Sequence, residues 1–385
     1  MRIGIPRDPK DTLSFYRVFA MIVELKQMGH TVETFHPSDR VGYAKCHWIF
    51  SHMLFGKGAD KVLQMAKQMH CKVWIDVDDN IWHVPFSNLS FEHHMDRSRQ
   101  LHILQQADLI TVSTRPLYTL MENFLISTTK PILLLENYLW IEDSAEPRTD
   151  GKKVIAWRGG DHTEDFLHII QELYKLEDIA DEIHYFGDRP QGYTPTGRST
   201  VLWHPYTDTW NYMKLLRQVN PIIIFGYWAD IPFNTCKSDV MWQEATRSGG
   251  ILVINEGWDA FKRKPVYMYD GRNALAHCVE TGLNEWVHMK DAHRDSEELM
   301  ADKRKRRGDQ SHEVSRTLNS TVYSEQLLGG GVSDFHKATN EHFLSSLTDE
   351  ERYQENSVEH PYKGSTSDSD TLPKLKSSGD QHGTQ

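Results

Sequence analysis

Two doubly wound α/β domains facing each other across a cleft are predicted by three features of this chain. At 385 residues it is too long for one hydrophobic core and long enough for two. Strand-like and helix-like patterns alternate through residues 1–141 and again from 154 onward, which implies parallel sheets with crossover helices. Between the two series lies Glu142–Lys153 (EDSAEPRTDGKK), a polar stretch with a proline and a glycine and without apolar periodicity, which reads as a linker.

The first series opens with a strand at Arg2–Ile5. A helix is expected at Ser14–Met28, where Phe15, Phe19, Ile22, Val23 and Met28 recur at helical spacing before Gly29 stops it. Strands at Thr31–Phe35 and His47–Phe50 come next, then a helix at Ala59–Met69 and the strand Lys72–Val77, which ends in carboxylates. A helix at Arg97–Gln106, a strand at Leu109–Ser113, a helix at Pro116–Phe124 and a strand at Pro131–Leu135 complete it. The second series has strands at Val154–Trp157, Glu182–Phe186, Val201–His204, Pro221–Phe225 and Ile251–Ile254. Helices are expected at Glu164–Leu176, Thr209–Val219, Asp239–Arg247, Asn273–Thr281 and Arg294–Leu327. The expected domains are 1–141, the linker 142–153, 154–330 with its trailing helices, and a tail at 348–385 that is too polar to bury a core.

Composition narrows the class. Eleven tryptophans and 39% apolar residues suit packed cores, while apolar runs of six residues at most are far short of a membrane span. Met1–Pro6 leads into a strand and not into a secretion signal, so a cytoplasmic location is expected, in the host cytoplasm if the gene is phage-borne. Four cysteines, Cys46, Cys71, Cys236 and Cys278, form no C-x-x-C pair and read as reduced structural thiols. A net charge of −11 disfavours nucleic acid as a partner of the whole chain. The basic run Lys303–Arg307 is expected to be a solvated helix face, with a phosphate or nucleic-acid contact as the alternative.

Three loops carry candidate chemistry. After the strand Pro221–Phe225 comes Pro232-Phe-Asn-Thr-Cys-Lys237-Ser238, then a helix containing Glu244. The loop lies at the carboxyl edge of a parallel sheet, where a helix N-terminus and Lys237 favour a phosphate or diphosphate, and Glu244 can accept from sugar hydroxyls. The bland reading is an ordinary crossover with a solvated lysine and a surface glutamate. Val154–Trp157 runs into Arg158-Gly159-Gly160-Asp161-His162, where glycines permit close backbone approach, Arg158 suits a phosphate, and His162 follows the turn. In the first domain Asp76-Val-Asp78-Asp79-Asn80 places three carboxylates at a strand end. They would hold a divalent cation, or line the acceptor side with Asp78 or Asp79 as base or hydroxyl-orienting group, or Asp79 or Asn80 would cap the next turn. The 21 histidines, including the pair His93 and His94, show no metal-binding spacing.

Taken in order, DVDD-N-x-W-x-x-P, ADLITVST, PILLLEN, IAW-x-GG-x-H-x-x-D, YFGDRP and FN-x-x-KS-x5-E-A-x3-GG resemble glycosyltransferases of the GT-B fold. The likeness is to family 4-type enzymes, including compact bacteriophage and bacterial versions, over about residues 1–330. The resemblance implies transfer of a sugar from a UDP- or GDP-linked donor on the second domain to an acceptor on the first, without metal or another cofactor, and with retention. It implies Gly159, Gly160 and His162 against the donor phosphates, Lys237 and Ser238 on the diphosphate, and Glu244 on the ribose. Arg158, which stands where relatives often have a small residue, and Lys237 would offset the leaving charge. The family's E-x7-E motif is incomplete, because its first acid falls at Cys236. The acceptor would be a glycan, a protein or a modified phage DNA base, and the competing reading is a non-catalytic nucleotide or nucleotide-sugar binding protein.

Overall fold

The computed structural model describes residues 1–7, 15–56, 58–86, 91–94, 96–125, 129–141, 144–159, 163–187, 192–262, 264–271, 274–285 and 289–328. Strands β1 (Arg2–Pro6), β2 (Thr31–Phe35), β3 (Trp48–His52), β4 (Lys72–Val77), β5 (Leu109–Val112) and β6 (Ile132–Leu134) form a parallel sheet in the order β2-β1-β3-β4-β5-β6. Around it run α1 (Ala20–Gln27), α2 (Arg40–Ala44), α3 (Ala59–Gln68), the short α4 (Phe91–His94), α5 (Arg97–Gln105) and α6 (Arg115–Phe124). The second parallel sheet holds β7 (Val154–Gly159), β8 (Glu182–Gly187), β9 (Thr200–His204), β10 (Ile223–Phe225), β11 (Ile251–Asn255) and β12 (Val266–Tyr269), in the order β12-β11-β10-β7-β8-β9. Its helices are α7 (Thr163–Leu176), α8 (Thr209–Val219), α9 (Val240–Arg247), α10 (Leu275–Glu285) and α11 (Met289–Leu328).

Each sheet is doubly wound, as the alternating pattern predicts. In the second, strand order reverses between β7 and β10, which pair from Ile223–Ile155 to Phe225–Trp157. In the first it reverses between β1 and β3. Ligand crevices of open α/β sheets form at such reversals, outside the carboxyl ends of the strands. Central strands such as β4 are buried on both faces, which is why Trp74, Ile75 and Val77 read as a continuous apolar run interrupted only by Asp76. Helix starts follow local chemistry. Asp39 accepts from the N–H groups of Val41 and Gly42, Thr114 from Leu117, and Asp208 from Asn211.

The polar stretch at 144–153 is anchored. Ala145 N–H donates to the Arg247 carbonyl at 3.0 Å, and Arg148 Nε donates to the Asn220 carbonyl at 2.9 Å. Gly249 makes the close approach possible. Its φ is +81, in the left-handed region, and a Cβ there would meet the Ala145 carbonyl oxygen at 2.7 Å.

Helix α11 serves both halves. Met300 packs with Trp242 and Phe261 of the second, while Val314 and Leu318 pack with Ile3 and Val32 of the first. The expected solvated basic face is therefore corrected for two of its five members. Lys303 and Arg307 are buried, whereas Arg304, Lys305 and Arg306 face outward. Helical period explains the split, because positions 303, 307 and 311 share one face. On that face Lys303 Nζ lies 3.0 Å from Asp239, Arg307 Nε is 3.1 Å from both Glu24 oxygens, and the Ser311 hydroxyl donates to Glu24 at 2.6 Å. The expected tail at 348–385 lies outside the described residues.

Candidate functional site

The loop after β10 is held from within. Asn234, in a 3-10 turn at Asn234–Cys236, is buried and donates to the Ala229 carbonyl at 2.9 Å. Lys237 then turns extended and Asp239 leads into α9. Lys237 Nζ stands 4.3 Å from the Phe233 ring centroid and 2.9 Å from Asp79 Oδ1 on the facing domain. Ser238 Oγ accepts from Asn137 Nδ2 at 2.8 Å. Two further bonds join the same loop to the first domain, from Asn80 Nδ2 to the Pro232 carbonyl and from the Thr114 hydroxyl to the Cys236 carbonyl.

Glu244, expected on an accessible surface, is fully buried. The Tyr16 hydroxyl donates to its Oε1, the Tyr212 hydroxyl to its Oε2 at 3.1 Å, and Arg158 Nε lies 3.2 Å from Oε2. Burial pushes the Glu244 carboxyl above its ordinary range, against the lowering effect of Arg158 and the two tyrosines. A three-donor cage is what permits a carboxylate at this depth. Gly159 closes β7 beside Arg158, while Gly160 and His162 lie outside the described residues.

On the first sheet the three carboxylates part company. Asp76 is buried and bound by the Arg17 guanidinium, by the Thr111 hydroxyl and by His52 Nδ1 at 2.9 Å. Burial alone would raise its carboxyl, but Arg17 and His52 outweigh burial and hold it well below the usual range. With its oxygens spent in this way, Asp76 is a structural anion, and the reading of Asp76 as half of a cation-holding pair is set aside. Among the described residues, no group of three or more His, Cys, Asp and Glu side chains is arranged to hold a metal ion. Asn80 caps locally, as the third reading has it, its Oδ1 accepting from Trp82 N–H at 3.3 Å. Asp78 and Asp79 face the cleft. Burial, with Asp79 adding and His52 opposing, raises the Asp78 carboxyl.

Asp78, Asp79, Arg158, Lys237 and Ser238 line one cavity of about 140 Å³, together with Tyr16 and Asn137. Lys237 and Ser238 also border a larger cavity of about 460 Å³ that includes Arg115, Lys264 and Lys303. The arrangement has cations and α9's N–H end on one wall and carboxylates on the other. Tyr16 and Tyr212 carry no sequence motif, so no local signal announces them, whereas Asn137 ends the PILLLEN segment. Burial pushes Cys46 and Cys71 up to about 12, and the four cysteines are free.

No protein-family model and no curated protein matches the chain. Solved structures do. A sucrose-phosphate synthase from Thermosynechococcus elongatus superposes with a TM-score of 0.57 at 10% identity, over 83% of this chain and 99% of that one. Anabaena HepE in complex with UDP and glucose gives 0.55 at 10% identity, over 83% of this chain and 100% of that one. An alpha-glucosyltransferase in complex with UDP-glucose and DNA containing an abasic site gives 0.50 at 11% identity, over 78% and 93%. Identities this low carry the architecture and nothing finer. The two Rossmann-like domains facing a cleft are the GT-B fold.

Proposed function

We propose that this chain is a glycosyltransferase that takes a sugar from a UDP- or GDP-linked donor on its second domain and passes it to an acceptor hydroxyl on its first. One observation carries the reading. Arg158, Lys237, Ser238 and the N-terminus of α9 converge at the β7/β10 reversal, and Asp78 and Asp79 stand across the same cavity. The first set suits a diphosphate and the charge that grows on it as it leaves; the second suits a hydroxyl. Gly159, Gly160 and His162 enter as further donor contacts from the family resemblance, as do metal independence and retention. The superposed structures with UDP, UDP-glucose and glucose support the donor class.

Glu244 has both oxygens engaged, so assigning it to the donor ribose requires Tyr16 to give way. A second reading, nucleotide binding without transfer, is favoured by one feature. The family's first acid is replaced by Cys236, which is buried and whose thiol burial raises above its ordinary pKa. Titration calorimetry with UDP, GDP and their sugars in the presence of chelator, followed by assays for donor turnover, separates the two. Binding with turnover supports transfer, binding without turnover supports the second reading, and no binding contradicts both. Activity on DNA that falls steeply with salt would mark a nucleic-acid acceptor; a glycan or protein acceptor predicts little salt dependence.

A further inference from the structure

Arg17, His52 and Asp76 sit just behind the cleft, at the carboxyl edge of the first sheet near the β1/β3 reversal, and the donor half of the proposed site makes no use of them. Asp76 takes Arg17 Nε at 3.0 Å and His52 Nδ1 at 2.9 Å on one oxygen, and Arg17 Nη2 and the Thr111 hydroxyl on the other. Thr111 is itself fixed by Trp74 Nε1 at 2.9 Å. An anion satisfied in this way has little left for substrate, but it holds the Nδ1–H of His52 and so orients the ring. The other nitrogen, Nε2, lies 3.7 Å from Asp78 Oδ2. Asp78 lines the cavity.

We propose that His52, oriented by Asp76, is a positioning residue that keeps Asp78 ionised, so that Asp78 accepts the hydrogen bond of the acceptor hydroxyl. This rests on the transferase reading above. In a transfer with retention the hydroxyl oxygen bonds to the anomeric carbon, the bond from that carbon to the diphosphate oxygen breaks with its electron pair leaving on the diphosphate, and the hydroxyl proton ends there. Asp78 holds and polarises the hydroxyl throughout, which its ionised form, a charged acceptor on both oxygens, does more strongly than the neutral acid. The groups facing His52 are Arg17, Asp76 and Asp78; Asp78 is faced by these and by Asp79, whose charge is shared with Lys237. Burial lowers the His52 pKa, but Asp78 and Asp76 outweigh it and raise it above the ordinary value.

The test is the pH profile of kcat/KM for donor turnover in the full chain, native against His52→Gln, which keeps a donor toward Asp76 and removes the charge. Loss of the cation raises the Asp78 pKa, so the acidic limb moves to higher pH by about one unit or more, and His52→Lys moves it back. A uniform loss of activity at every pH, with the limb in place, means a merely structural role and overturns the proposal. NMR titration of the histidine-labelled full chain reads the pairing without turnover, the His52 signal being assigned by its absence in His52→Gln. A His52 pKa above the ordinary value that falls in Asp78→Asn supports the proposal; one at or below it, or indifferent to Asp78→Asn, overturns it. Pairing without turnover of any UDP- or GDP-sugar brings down the transferase reading, and with it the role given to Asp78.

Discussion

Tyr16 donates its phenolic hydrogen to Glu244, 228 residues further along the chain, and so ties the π-helical turn after β1 to α9 of the second sheet. Tyr212 and Arg158 hold the same carboxylate from the second domain. The expected consequence is mechanical as well as chemical. Glu244→Ala leaves Arg158 and two hydroxyls without their acceptor and should cost about 3 kcal/mol in denaturant unfolding. Tyr16→Phe removes one hydrogen bond of the set and should cost about 1 kcal/mol. Equal, negligible losses for both would mean that the cage contributes nothing to joining the halves.

Helix α11 makes a second, independent tie. Arg307 is buried against Glu24 and the Glu136 carbonyl, while its neighbour Arg306 is exposed. Arg307→Ala leaves Glu24 buried without its cation, and a loss of about 3–5 kcal/mol is expected. Arg306→Ala should change stability by about 0.5 kcal/mol or less. Chemical denaturation of the two variants side by side checks the contrast.

Asp239 sets an acid limit. Burial alone would raise its carboxyl, but Lys303 and Lys264, at 3.0 and 3.1 Å, outweigh burial and lower it. A carboxyl whose folded pKa is depressed adds stability above the unfolded value of about 3.9, and that contribution is lost as pH falls through the folded value. Asp239→Asn should therefore be markedly less stable than the native chain near neutrality, and the gap should narrow on acidification below about pH 4. Unfolding measured across this range with both proteins gives the comparison; a gap that is constant with pH contradicts the assignment.

Gly249 is the tightest backbone contact between the anchored stretch at 144–153 and the second sheet. Its φ of +81 is unfavourable for an L side chain, and a Cβ would also meet the carbonyl oxygens of Ala145 and Glu146 at 2.7 and 2.8 Å. Gly249→Ala should lose about 2 kcal/mol or more, visible as a lowered Tm.

What was legible in the chain is what local chemistry decides. Helix α8 spans Thr209–Val219 as expected because Asp208 caps its start and Asn220, in the left-handed region, ends it. The strand β4 stands out by an apolar run that only Asp76 interrupts. Strand β12 was not legible, since Val266–Tyr269 at the sheet edge is only partly buried and lacks a clear pattern. A single helix from Ser14 was expected where Phe15–Phe19 forms a π-helical turn before α1, and this turn is what carries Tyr16 and Arg17 to Glu244 and Asp76. Of the site, Lys237 and Ser238 could be read from one loop. Tyr16 could not, because its partner Glu244 lies 228 residues away and meets it only once both sheets have formed, and His52 could not, because Asp76 meets it only through the pairing of β3 with β4.

The central claim is a diphosphate-binding wall built on Lys237 at the β7/β10 reversal. Titration calorimetry of UDP and GDP into the native chain and into Lys237→Ala, with chelator present, tests it most directly. The account predicts binding of one of the two nucleotides by the native chain and a loss of about tenfold or more in Lys237→Ala, as removal of one charged contact implies. Equal affinity in both proteins, or no binding by the native chain, would contradict it.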